Sequence, residues 1–169
     1  MWQIIGRTIV TGTAPAAINS FCGLIKSVYK NFDTKVIPEE GSVLYCGLIA
    51  GVAEHSGIYV DNNRIVYLNG NGKIEIEIVT PSEFLSSFAL RDIYVSCTGD
   101  NAVGSKYVAK RALSMVCKKR SYNLILDNCH QFTSGCLTGN FENSDNFLTF
   151  LKMQTEKTFN ADTWHLWDR

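Results

Sequence analysis

The sequence predicts an α+β fold in which an antiparallel sheet packs against helices and a reactive cysteine stands at a helix N-terminus. Three observations predict it. Residues 55–78 form short β-type runs separated by turn residues, and helical spacing recurs on both sides of them. Between two helical stretches, residues 122–136 pass from strand-like residues into a helix, with Cys129 where that helix should begin. Asp127 and Asn128 are helix-capping types, Phe132 and Cys136 recur at helical spacing, and Gly139 is a stop signal. A cysteine in a first helical turn faces unpaired backbone N–H groups and the positive end of the helix dipole. Both favour thiolate, with pKa values falling to roughly 3.5–7.5 in such settings.

Composition narrows the class. The chain has 169 residues, 46% of them hydrophobic, enough for one domain with a core. Sixteen basic and 16 acidic residues cancel, so no global field points to nucleic acid. The one basic run, residues 118–120, suits the end of a helix. The six cysteines are scattered, several inside apolar runs around Cys46 and Cys117, which fits free thiols in a reducing compartment. With no CxxC and only three histidines, neither a structural zinc nor another cofactor is expected. Residues 43–53 are the longest strongly apolar stretch, far short of a membrane span, and no secretory signal is read at the N-terminus. A soluble cytoplasmic protein is the expectation.

The elements follow in order. Ile18, Phe21, Cys22, Ile25, Val28, Tyr29 and Phe32 predict an amphipathic helix over about 14–32. It is expected to pack on the domain; peripheral membrane contact is the sharper alternative, though only two lysines line its polar face. Residues 42–50 read as a buried strand. His55 to Val60, the turn residues Asp61, Asn62 and Asn63, and Arg64 to Leu68 read as a β-hairpin. A second turn at Gly70–Gly72 leads into residues 73–78, where Ile74, Ile76 and Ile78 are expected to face the core and the charges water. Thr80 to Glu83 is a capping-box pattern opening a short helix that buries Phe84, Leu85 and Phe88. A strand over 92–97 and a helix from 99 to about 120 follow, the helix turning Val103, Tyr107, Val108, Ala112, Met115 and Val116 inward. The last helix is expected from about Ser144, followed by an aromatic tail that either docks on the domain or frames a pocket.

A thiolate nucleophile needs a base, and a third polar group to orient that base. His55 is the best base, since it opens a strand in the sheet-forming part of the chain. His130 follows Cys129 directly and points about 100° away from it on a helix, which leaves it a supporting or solvent role. His165 reads as an exposed tail residue. The hairpin register bears on the third member. A three-residue loop pairs Val60 with Arg64, sets His55 opposite Asn69, and leaves Tyr67 diagonal to His55 on one face; a two-residue loop removes Tyr67 from that face. Each residue also has a plain structural reading. Cys129 would be a buried thiol, His55 a satisfied core histidine and Tyr67 a strand aromatic.

Residues 54–60 (Glu-His-Ser-Gly-Ile-Tyr-Val), 64–68 (Arg-Ile-Val-Tyr-Leu) and 127–132 (Asp-Asn-Cys-His-Gln-Phe) together resemble the lecithin:retinol acyltransferase-like family, a circularly permuted branch of the NlpC-type papain-like thiol enzymes. The resemblance covers roughly 37–139, and the histidine-before-cysteine order fits the permuted branch. It implies Cys129 as nucleophile and His55 as base. Tyr67 falls where the family usually carries histidine or an acidic residue, so the third member is open, with Asn69 in reserve. Asn-Cys-His-Gln also departs from the family's Asn-Cys-Glu-His. The implied chemistry is acyl transfer on an acyl-bearing small molecule or lipid. A cysteine peptidase or amidase, including one acting on cell-wall peptides, is the second enzyme class, and a catalytically weak ligand- or partner-binding member is the alternative outside catalysis.

Overall fold

The structure is a computed structural model that describes residues 34–47, 54–70, 75–86, 92–118 and 128–169. The elements are β1 (Lys35–Val36), β2 (Val43–Gly47), β3 (Glu54–Asp61), β4 (Arg64–Asn69), β5 (Glu75–Val79), α1 (Pro81–Phe84), β6 (Tyr94–Thr98), β7 (Asn101–Ala102), α2 (Lys106–Leu113), α3 (Cys129–Thr138), α4 (Leu148–Phe159) and β8 (Thr163–Trp167). The expected N-terminal helix over 14–32, Ile74, Phe88, Asp127 and the strand-like residues before it lie outside the described residues.

The architecture is α+β, as expected: one eight-stranded sheet in the order β1-β8-β6-β2-β3-β4-β5, with β7 on β6. Among the described residues, all strand pairs are antiparallel except β1 with β8. Alternation along the strands splits the core in two. Val43, Ile58, Val60, Val66, Leu68 and Ile76 meet Val108, Ala112, Phe132, Leu137 and Leu151 on the face covered by α2, α3 and α4. Leu44, Cys46, Ile65, Tyr67 and Val95 meet Phe84 and Leu85 on the other face, which α1 covers. Helix α3 is buried from Cys129 to Leu137, the central helix of the molecule. Gly135 is required there, because a Cβ would come within 2.4 Å of the Phe141 ring.

The β3–β4 hairpin reaches the expected register by a different route. Its loop has two residues, Asn62 (φ 44°) and Asn63 (φ 57°), both in the left-handed region of a type I′ turn, so Asp61 pairs with Arg64. A bulge between Tyr59 and Asp61 then absorbs one residue, and Tyr59 pairs with Ile65 and Ile58 with Val66. Continued along the strand, that register sets Gly57 opposite Tyr67 and His55 opposite Asn69. Without the bulge, the short turn would have sent Tyr67 to the other face.

Several expectations are corrected. Residues 99–105 are not helical: Asn101–Ala102 pair back onto β6 through a turn at Gly99, and the Ser105 hydroxyl caps α2 at Tyr107 N. Tyr107 therefore lies outward, 82% exposed. At its other end α2 stops at Leu113, because the chain turns at Cys117 (φ 63°) and exchanges hydrogen bonds with Ile76. The last helix starts at Leu148 rather than near 144, since residues 143–146 hold the flank of α3. Ile78 is exposed, while Glu77 is half-buried. The aromatic tail is strand β8, seated between β1 and β6. His165 on it is fully buried, its Nε2–H donating to the Gly99 carbonyl at 2.8 Å, because β8 is an interior strand.

Candidate active site

Asn128 builds the start of α3. Its side-chain oxygen accepts from the N–H of His130 (2.9 Å) and Gln131 (3.2 Å), and Gln131 Oε1 accepts in return from Asn128 N. Asn128 Nδ2 also donates to the Asn146 carbonyl at 2.7 Å, tying the loop before α4 to the same turn. Gly139 ends the helix in a left-handed cap at φ 83°.

Cys129, the first residue of this helix, is buried against the opening of β3. Its Sγ lies 3.9 Å from the carbonyl oxygen of Glu54, the residue before His55. Burial pushes its thiol up to about 11; backbone N–H groups of Ser56, Cys129 and His130, together with the Ser56 hydroxyl, pull the other way but are outweighed. The low-pKa thiolate expected from the helix terminus is therefore corrected, because desolvation of the charged form exceeds the local dipole effect. Burial thus favours the neutral thiol at rest.

His55 lies on the face of the sheet that α1 covers. Its ring stacks on Phe84 (centroids 4.9 Å apart, 25° between planes) and meets the Tyr67 ring edge-on (4.8 Å, 90°). Cys46 is its cross-strand partner on β2. Burial, then the charge of His130, lowers His55 to about 3, which favours the neutral imidazole. Cys46 is raised to about 12, chiefly by burial and next by Cys129, which places both thiols at one end of β2 and β3. Gly57 lets β3 and β4 pack closely here: a Cβ there would stand 2.9 Å from Ile65 Cγ2 and 3.1 Å from Tyr67 Cβ.

His130 points to the opposite, helix-covered side. Its Nδ1 is 2.9 Å from Ser56 Oγ, which is 3.1 Å from Thr133 Oγ1, and that hydroxyl donates to the Cys129 carbonyl at 2.7 Å. This network clamps the first turn of α3 onto β3, so His130 is a buried fastening rather than a solvent residue.

Tyr67 is brought to His55, and Cys129 to the backbone that carries His55. Asn69, the reserve orienting group, has its Nδ2 on Glu77 Oε2 at 3.1 Å. Sequence reading missed Glu77 and Cys46, because both enter through the registers between neighbouring strands, which no local spacing gives. A groove of about 420 Å³ lies along α4 and β8, and none of the candidate site residues lines it.

Comparison with known proteins adds one finding. The family model described as lecithin retinol acyltransferase matches residues 38–142. No curated protein and no solved structure matches the chain.

Proposed function

Because the chain belongs to the lecithin retinol acyltransferase family, a family of papain-like thiol acyltransferases and hydrolases, we propose that it transfers acyl groups through a thioester on Cys129. His55 is the general base and Tyr67 the residue that holds it. The observation that carries this reading is the seat of Cys129: first residue of a capped helix, with its Sγ 3.9 Å from the carbonyl of the residue preceding His55.

The chemistry starts from neutral partners. As Sγ attacks the carbonyl carbon of an ester, amide or thioester, its proton passes to the imidazole and the C–S bond forms. The backbone N–H of Cys129, at the start of α3, stabilises the oxyanion. Collapse breaks the bond to the leaving group, which takes the proton from His55. Water or a second acceptor then gives up a proton to His55, attacks the thioester and releases the thiol. Family membership supports lipid or other acyl substrates. The five free cysteines among the described residues suit a reducing compartment and support a cytoplasmic location.

The test is intact mass after incubation with a phospholipid donor and with an acyl thioester. Wild type is expected to gain one acyl group, lost on Cys129→Ala and strongly slowed in His55→Ala. Acyl gain that persists in Cys129→Ala sinks the nucleophile, and an unchanged rate in His55→Ala sinks the base. Absence of any adduct in wild type, with retention of the acyl donor, would favour the ligand-binding reading that the burial of Cys129 also suits.

A further inference from the structure

The groove along α4 and β8 has a lysine in its wall. Its volume of about 420 Å³ is bounded by Lys152, Met153, Glu156, Ala161, Asp162 and Trp164. Lys152 is half-buried, and its Nζ–H donates to Tyr45 Oη at 3.1 Å. The same nitrogen stands 4.2 Å from the centroid of the Tyr45 ring and 5.3 Å from that of Trp164. Those rings are themselves held in place, since Tyr45 meets Trp164 edge-on at 5.1 Å and stacks on Tyr94 at 4.9 Å. Among the described residues no carboxylate is ion-paired with Lys152.

A lysine ordinarily keeps its ammonium in water, where the proton occupies the lone pair and the nitrogen is no nucleophile. Here burial lowers the ammonium below its ordinary value, with the charge of Glu54 opposing that fall. The hydrogen bond to Tyr45 and the two rings fix the nitrogen in the wall of the groove. The charges of the groove then select among the electrophiles that an amine attacks. Acylation would leave a neutral amide and forfeit the attraction of both rings and of the Glu156 and Asp162 carboxylates. A Schiff base keeps the positive charge as an iminium, which the rings and carboxylates favour. Met153, Ala161 and Trp164 give apolar contact to a carbon skeleton, while the two carboxylates disfavour an anionic one.

We propose that Lys152 is a carbonyl-binding residue, and that its groove holds an uncharged aldehyde as an iminium at a site separate from Cys129. The neutral Nζ attacks the aldehyde carbon and the C–N bond forms. The nitrogen passes one proton to the carbonyl oxygen, which gives a carbinolamine. Solvent supplies a second proton, the C–O bond breaks, water leaves, and the iminium remains. The step needs no oxidant or reductant, and it does not rest on the reading of Cys129 as nucleophile.

The experiment treats the full chain with benzaldehyde and cyanoborohydride, which fixes any iminium as a secondary amine, and maps the labelled lysines by peptide mass spectrometry. Lys157, exposed on the same helix, is the internal reference. Lys152 should be labelled on the order of tenfold faster than Lys157 at neutral pH, and its rate should level off at a lower pH. With 4-carboxybenzaldehyde that preference should disappear, because the added carboxylate meets Glu156 and Asp162. Without reductant, wild type should show a saturable imine absorbance that Lys152→Arg lacks. Equal labelling of Lys152 and Lys157 would leave Lys152 a packing contact on Tyr45 and overturn the proposal. A preference kept with 4-carboxybenzaldehyde, or an imine absorbance that persists in Lys152→Arg, would overturn it as well. Cys129→Ala should label like wild type, and loss of Lys152 labelling there would refute the separate site.

Discussion

Two influences compete at the Cys129 sulfur. The start of α3 points N–H groups at it, which favours thiolate, while burial favours the neutral thiol and prevails, at about 11. Burial lowers His55 to about 3, which disfavours an imidazolium–thiolate pair with it in the resting state. The rate of Cys129 alkylation should therefore climb through pH 9 toward 11 instead of reaching a plateau near neutrality, as followed by peptide mass spectrometry with iodoacetamide. A plateau between pH 5 and 7 would contradict the neutral pair. The placement of Cys129 was legible because capping is local: Asn128 before it and Gly139 after it declare a helix from a dozen residues. Its proton affinity was not, since that depends on how much of β3 and its neighbours cover the sulfur.

At the level of single elements, α3 is capped at its first turn by Asn128. Asn128→Ala removes the acceptor for two backbone N–H groups and the link to Asn146. It should cost about 1–2 kcal/mol, seen as a lower urea midpoint with an unchanged slope, and should slow Cys129 acylation by more than its effect on stability explains. A variant with wild-type stability would refute the capping account. The β3–β4 hairpin teaches a different lesson. Its turn residues were legible, but the bulge at Val60 was not, and the bulge decides which face Tyr67 occupies. A bulge answers to packing on both faces of the sheet, where Ile58 and Val60 must meet the helices while His55 and Tyr59 meet the other core. The helix expected from residue 99 failed for a similar reason: residues 101–102 gain more from pairing with β6 than from a helical turn that Ser105 caps better.

For the whole molecule, buried titratable groups define a pH window of stability. His55 and His130 have folded values of about 3 and about 4, below the ordinary value of 6.5, so the unfolded chain binds their protons more readily. Their contribution is complete above about pH 6.5 and is lost as pH falls toward those folded values. Cys129 and Cys97 at about 11, and Cys46 at about 12, lie above the ordinary 9.0, so their contribution is full below about pH 9 and is lost as pH rises through the folded values. Urea midpoints measured from pH 3 to 11 should be highest and nearly flat between about 6.5 and 9, falling on both sides. Replacing His130 by glutamine should flatten the acid limb.

By itself the sequence determined the α+β class, the short capped helix at Thr80, the start and stop of α3, and the residues that resemble the family. All of these are written in nearest neighbours, where a cap, a turn pair or a spacing has one reading. The tertiary structure alone decided that the tail would be strand β8 with His165 inside, that His130 would fasten α3 to β3, that Cys46 would face His55, and that Glu77 would meet Tyr67. Each of these depends on registers between strands distant in sequence, and a one-residue shift reverses every face. Local propensity cannot choose among such registers; the packing of the two cores on either side of the sheet does.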